Sequence, residues 1–174
     1  MLNEEAISPN IYAALENLIA KAKEKDKVYI YFSGHGDSEN STIFKSGFLL
    51  THETPKHSYY TNSINIDILN NFVSTLSINN KAEVIFIVDA CHSGNVNSAV
   101  DNGAVTTAKA LSKNVAEEVR MLSCQPNEIS LEGEQWGNGR GLFSYHLING
   151  LWGLADLQGV SDGKVTLNLS LIHI

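Results

Sequence analysis

Apolar positions along this chain recur in two rhythms: every third or fourth residue, or in short unbroken runs. The first rhythm opens at Ser8. Ile11, Leu15, Leu18, Ile19 and Ala22 fall on one face of a helix that Ser8 is placed to cap and Pro9 to begin. Lys21-Ala22-Lys23-Glu24-Lys25 follows, a solvated basic run suited to a helix C-terminus. The second rhythm appears in Val28-Tyr29-Ile30-Tyr31-Phe32, which predicts a buried strand running into a tight loop, Ser33-Gly34-His35-Gly36. Gly47–Leu50 predicts a weaker strand, and Ile66–Leu76 a helix with Ser63 or Asn65 as its cap. Glu83-Val84-Ile85-Phe86-Ile87-Val88-Asp89-Ala90 is the strongest strand pattern and ends at Cys91-His92-Ser93-Gly94.

Residues 94–118 carry Gly, Asn, Ser, Thr and Ala with little periodicity and read as a long mobile connection. Val119–Ser123 predicts a further strand. Leu142–Trp152 predicts a helix after the glycine-rich Gly137–Gly141. Strand, helix and strand in alternation predict an α/β architecture, with a parallel sheet built from βαβ units and covered by helices.

Two strands therefore end in glycine-bounded polar tetrads, and open α/β sheets carry their sites at the carboxyl ends of strands. Neighbouring strands lie about 4.8 Å apart, so loops leaving two neighbours bring an imidazole near a thiol. His35 is then placed to accept the proton of Cys91, whose thiol would otherwise titrate near 8.5. Gly36 lets the main chain approach a substrate carbonyl closely. Taken singly, these residues also fit a surface histidine and a small buried cysteine, with His92 shaping a turn. Zinc held by His35, Cys91, His92 and Cys124 lacks the paired-ligand spacing of zinc sites. The G-x-S-x-G elbow of serine hydrolases is absent, and Asn97 stands where a cysteine phosphatase needs arginine.

Composition narrows the classes further. The chain has 174 residues, 43 % hydrophobic and 18 % charged, which suits one compact domain and argues against disorder. Twelve basic against nineteen acidic side chains give −7, which disfavours nucleic acid and anionic membrane as partners. Two cysteines are too few for a disulfide framework. No secretory hydrophobic stretch follows Met1, which points to the cytoplasm. Glu117, Glu118, Glu128, Glu132 and Glu134 against Arg120 alone form an acidic stretch, read mainly as solvated surface.

Tyr31-Phe32-Ser33-Gly34-His35-Gly36, followed by Val88-Asp89-Ala90-Cys91-His92-Ser93-Gly94, resembles the caspase-like cysteine peptidases. The bacterial caspase and metacaspase (orthocaspase) branch is closer than the animal caspases. The histidine precedes the cysteine by 56 residues, in keeping with the roughly 50 of caspases. Leu122–Glu128 and Gly139–Ser144 are similar to the part that becomes the small subunit in this family. The resemblance implies a three-layer caspase-like fold with a mostly parallel central sheet and helices on both faces. It implies a single domain over residues 1–168, with 1–93 large-subunit-like, 94–118 a linker and 119–168 small-subunit-like. It also implies that His35 is the catalytic histidine, that Cys91 is the nucleophile, and that the N–H groups of Gly36 and Cys91 form the oxyanion hole. Asp89 stands where the family lines the pocket for the residue before the scissile bond. An aspartate there matches metacaspases, which cut after Arg or Lys, and a carboxylate favours those cations physically.

The implied activity is a cysteine endopeptidase acting on proteins or peptides with basic residues, with Lys109 and Lys113 as candidate self-processing sites. A non-catalytic caspase-like interaction module is the alternative. Three features depart from the family. Its first strand and helix have no counterpart here, so Met1–Ala6 reads as the tail of an earlier unit, and a signal peptide ahead of it stays open. Asp37-Ser38-Glu39-Asn40 and an Asp-free Gly47–Glu53 do not support calcium dependence, so no cofactor is expected. Residues 169–174 read as a non-native tail, which removes His173 from function.

Overall fold

The computed structural model of the chain describes residues 1–39, 41–56, 58–90, 102–113, 118–124, 130–158 and 161–166. Two compact units are present, Met1–Ile129 and Ser130–Ile174.

In the first unit, helix α1 spans Ser8–Lys21. Ser8 lies inside the helix instead of capping it, and its N–H is donated to the Glu53 carboxylate at 3.1 Å. An acidic side chain from 45 residues away thus does the work expected of Ser8. At the other end, the Asn80 amide donates to the carbonyls of Ile19 and Ala22 at 2.8 and 2.9 Å. Those are among the acceptors a helix leaves unsatisfied at its C-terminus.

Strands β1 (Lys27–Ser33), β5 (Glu83–Asp89) and β6 (Glu118–Leu122) form a parallel sheet in the order β1-β5-β6. Between β1 and β5 the chain builds an antiparallel sheet from β2 (His35–Ser38), β3 (Gly47–Leu50) and β4 (Ser63–Asn65). Helix α2 (Ile66–Ser74) follows, and a wider π-helical turn over Thr75–Asn79 extends it. Asn65 is its cap, accepting from the N–H groups of Asp67 and Ile68 at 2.9 and 3.1 Å. The core joins Leu15 of α1, Val28 of β1, Leu49 of β3, Ile64 of β4, Leu69 and Val73 of α2, and Phe86 and Val88 of β5. Burying such side chains stabilises the fold by about 1.5–3 kcal/mol each.

Three elements depart from the sequence pattern. β1 is packed on one face only: Val28, Ile30 and Phe32 meet the core, whereas Tyr29 and Tyr31 are 64 % and 50 % exposed. Its run of apolar residues therefore does not mark a strand covered on both faces among the described residues. His35 and Gly36, expected in a loop, begin β2. No residue from His35 to Ser38 is β-branched or apolar, so the sequence carries turn chemistry where pairing with β3 imposes a strand. Within the expected mobile connection, Asn102–Leu111 forms helix α3, with Thr107, Ala108, Ala110 and Leu111 buried. Its small side chains permit close approach to β2 and β3, which leaves no broad apolar stripe for periodicity to reveal.

Glu118 is not part of an acidic surface. Its carboxylate accepts from Nε of Arg120 at 2.8 Å, and the two side chains are 0 % and 6 % exposed. Nη1 of Arg120 donates to Oδ1 of Asn70 on α2 at 2.9 Å and to the carbonyl of Leu111 at 2.7 Å. The guanidinium also lies over the Phe86 ring, 5.4 Å from its centroid.

In the second unit, β7 (Glu132–Gly133) pairs antiparallel with β8 (Arg140–Gly141), and α4 covers Leu142–Asn149. A π-helical turn over Gly150–Leu154 continues it to Gly153, whose φ of 113° suits glycine alone. No helix among the described residues is long and apolar enough to cross a membrane.

Candidate active site

The carboxyl ends of β1 and β5 meet because their registers run level. Pairing extends from Lys27 beside Glu83 to Ser33 beside Asp89, so each β1 residue faces the β5 residue 56 positions later. That is the separation between His35 and Cys91 in the sequence. The pairing continues one residue further, where the Gly34 N–H donates to the Asp89 carbonyl at 3.0 Å.

At Gly34 the chain leaves the parallel sheet, and His35 opens β2 opposite Leu50 of β3. The His35 side chain is exposed, whereas Gly36 is buried. A Cβ on Gly36 would lie 2.8 Å from Cγ2 of Thr107 and 3.6 Å from the carbonyl oxygen of Ala90. The main chain after the histidine therefore packs against the residue immediately before Cys91. Only glycine fits there, since a 2.8 Å approach between carbons lies well inside van der Waals contact.

Among the residues singled out from sequence, His35, Gly36, Asp89, Lys109, Lys113 and Cys124 are described, and Cys91, His92, Ser93 and Gly94 lie outside the described residues. Asp89 is 5 % exposed at the end of β5. By strand alternation it is on the face of Ile85 and Ile87, opposite Phe86 and Val88 of the core. Cys124 is buried just beyond β6. Lys109 is exposed in the last turn of α3, and Lys113 is exposed just past that helix. His173 and the rest of the expected tail are outside the described residues.

Two polar anchors behind the histidine were not apparent in the sequence. Oδ2 of Asp37 accepts from the Tyr59 hydroxyl at 2.6 Å. Glu39, next after β2, gathers the Ser41, Thr42 and Tyr60 hydroxyls together with the N–H groups of Ser41, Thr42 and Ser46. The Thr42 hydroxyl is the largest influence on its carboxyl, which is lowered from 4.5 to about 2 although burial acts against ionisation. These bonds join the β2 end of the hairpin to residues 41–46 and to Tyr60. Among the described residues, no three His, Cys, Asp or Glu side chains are grouped so as to hold a metal ion.

A family model described as Caspase domain matches residues 4–162. No curated protein matches the chain. Among solved structures, the chain is similar to the crystal structure of protein GSU0716 from Geobacter sulfurreducens, with 17 % sequence identity and a TM-score of 0.62. The similarity covers 88 % of this chain and 65 % of that one, so this chain spans about 65 % of that relative's length. At this identity the likeness is one of fold.

Proposed function

The chain belongs to the caspase-domain family, and on that premise we propose that it is a cysteine endopeptidase cutting after Arg or Lys through Cys91 and His35. Its parallel β1-β5-β6 sheet and the four α-helices among the described residues are consistent with the three-layer fold of that family. The observation that carries the proposal is the level register of β1 and β5, with Gly36 packed against Ala90. His35 and Cys91 each follow the last register pair, Ser33 and Asp89, by two residues.

In the proposed reaction, His35 takes the Cys91 thiol proton and the thiolate attacks the scissile carbonyl carbon. The N–H groups of Gly36 and Cys91 receive the oxyanion. Collapse of the tetrahedral adduct breaks the C–N bond, and His35 returns the proton to the leaving amine. Water then hydrolyses the thioester, which releases the acid and restores the thiol. Asp89 supplies the carboxylate for the basic side chain before the scissile bond.

Fluorogenic peptides with Arg, Lys or Asp at that position test this in reducing buffer. Hydrolysis of the Arg and Lys peptides is expected. Cys91→Ala and His35→Ala should be about equally damaging and not additive, since a nucleophile and its base act as one unit. Covalent labelling by a thiol-directed peptide inhibitor should vanish in Cys91→Ala and persist in Cys124→Ala. A folded chain that hydrolyses none of the peptides, or whose hydrolysis survives Cys91→Ala, overturns the proposal.

A further inference from the structure

The helix that follows the nucleophile segment reaches back to the strand that carries the histidine. Thr107 of α3 is 2 % exposed. Its hydroxyl donates to the main-chain carbonyl of Asp37 at 2.8 Å. Its methyl occupies the place of a Cβ on Gly36, since Cγ2 would be 2.8 Å from that atom. A Cβ on Gly47, the β3 residue paired with Ser38, would lie 3.1 Å from Cα and 3.4 Å from Oγ1 of the same threonine. Two glycines on neighbouring strands thus let α3 approach closely at Thr107, with Cδ1 of Ile66 also 3.1 Å from the Cβ position of Gly47.

We propose that Thr107 is a positioning residue for the oxyanion hole, its hydroxyl holding β2 so that the Gly36 N–H is aimed at the substrate carbonyl. The inference rests on the reading of Gly36 as an oxyanion donor and adds a residue that this reading does not contain. The physical case lies in the pairing of contacts. The methyl sets how closely α3 approaches Gly36, and the hydrogen bond sets the orientation of the chain at Asp37, one residue further along β2. The hydrogen bond is directional where apolar packing is not, so it governs the aim of the neighbouring Gly36 amide. Thr107 belongs to α3, which begins at Asn102, so a helix later in the chain than Cys91 packs against the strand that carries His35 and Gly36.

Two substitutions separate the roles. Thr107→Val keeps the volume and removes the donor, and Thr107→Ser keeps the donor and removes the methyl. A donor that acts only on the developing oxyanion changes kcat with KM little altered. Misaiming one such donor in Thr107→Val should lower kcat by about tenfold, a fraction of the 10²–10³ lost on deleting a donor. Affinity for a peptide aldehyde, whose adduct carries the oxyanion position, should fall in parallel. Alkylation of Cys91 by iodoacetamide, which develops no oxyanion, should stay within about twofold. Thr107→Ser should restore kcat.

A second readout is independent of hydrolysis. Amide hydrogen exchange over residues 35–38, followed by mass spectrometry, should quicken in Thr107→Val and return to the wild-type rate in Thr107→Ser. Wild-type values for Thr107→Val in both readouts overturn the proposal. So does an equal loss of alkylation, kcat and melting temperature in both variants, because that marks a packing role alone. If the wild-type chain shows no Cys91-dependent hydrolysis, the peptidase reading fails, and the exchange comparison still decides whether the hydroxyl orders β2.

Discussion

Asp89 ends the strongest strand in the chain, and its main chain and side chain serve different ends. Its carbonyl accepts the Gly34 N–H and locks the ends of β1 and β5 together. The residue is buried by the same fold, with 5 % of it exposed. A substrate guanidinium or ammonium seated beside this carboxylate would make a charge-assisted contact that a neutral side chain cannot. Under the proposed specificity, Asp89→Asn should lower kcat/KM for an Arg peptide by about 10²-fold, the range for losing one partner of a buried charge pair. Cleavage of a peptide with a neutral residue there should change little, as should the melting temperature. Equal losses on both peptides would make Asp89 structural and remove the basic preference. Asp89 and His35 were legible in the sequence because each follows an unbroken apolar run. Thr107 was not, because its close packing depends on two glycines, Gly36 and Gly47, 71 and 60 residues earlier in the chain.

Elements whose stability comes from an apolar stripe or run could be read from pattern: α1, α2, β1, β3, β5, β6 and α4. Those held by polar or close backbone contacts could not. Helix α3 rests on small side chains and on the Arg120 bond to the Leu111 carbonyl, which also ties it to Asn70 of α2. No local pattern announces that an arginine on a strand will be buried and paired with the glutamate two residues before it. The β2–β3 hairpin is the sharper case. Its connection hangs on Glu39, whose hydrogen-bond donors from Ser41, Thr42, Ser46 and Tyr60 form no periodic motif. Because the folded carboxyl is lowered from 4.5 to about 2, its contribution is present above the unfolded value and is lost as pH falls through that interval. The melting temperature of the wild-type chain should therefore fall more steeply than that of Glu39→Gln between about pH 5 and pH 2. Parallel curves for the two proteins would show that the carboxylate does not hold the hairpin.

At the scale of the whole chain, the open question is where an enzyme of the proposed specificity would cut itself. Lys109 and Lys113 both lie between the nucleophile segment and β6, and both are exposed. Exposure does not make them equivalent, because a peptidase binds the residues around the scissile bond as extended chain. Cutting after Lys109 requires the last turn of α3 to unwind. That turn holds Ala110 and Leu111, 9 % and 2 % exposed, and the Leu111 carbonyl that Arg120 grips at 2.7 Å. Lys113 stands beyond the helix, past the final bond from the Ser112 N–H to the Ala108 carbonyl at 2.9 Å. We therefore expect self-cleavage after Lys113 and not after Lys109. The fragments should remain together, since β6 keeps its five paired positions with β5, and Arg120 keeps Asn70 and Leu111 on the other side of the cut. Active protein incubated and then examined by intact mass should give two species whose junction follows Lys113, eluting as one peak on size exclusion. Lys113→Ala should stay whole, and Lys109→Ala should be cut as the wild type is. A junction after Lys109 would mean that α3 unwinds before processing, and a single uncut species with full Cys91-dependent activity would remove any processing requirement.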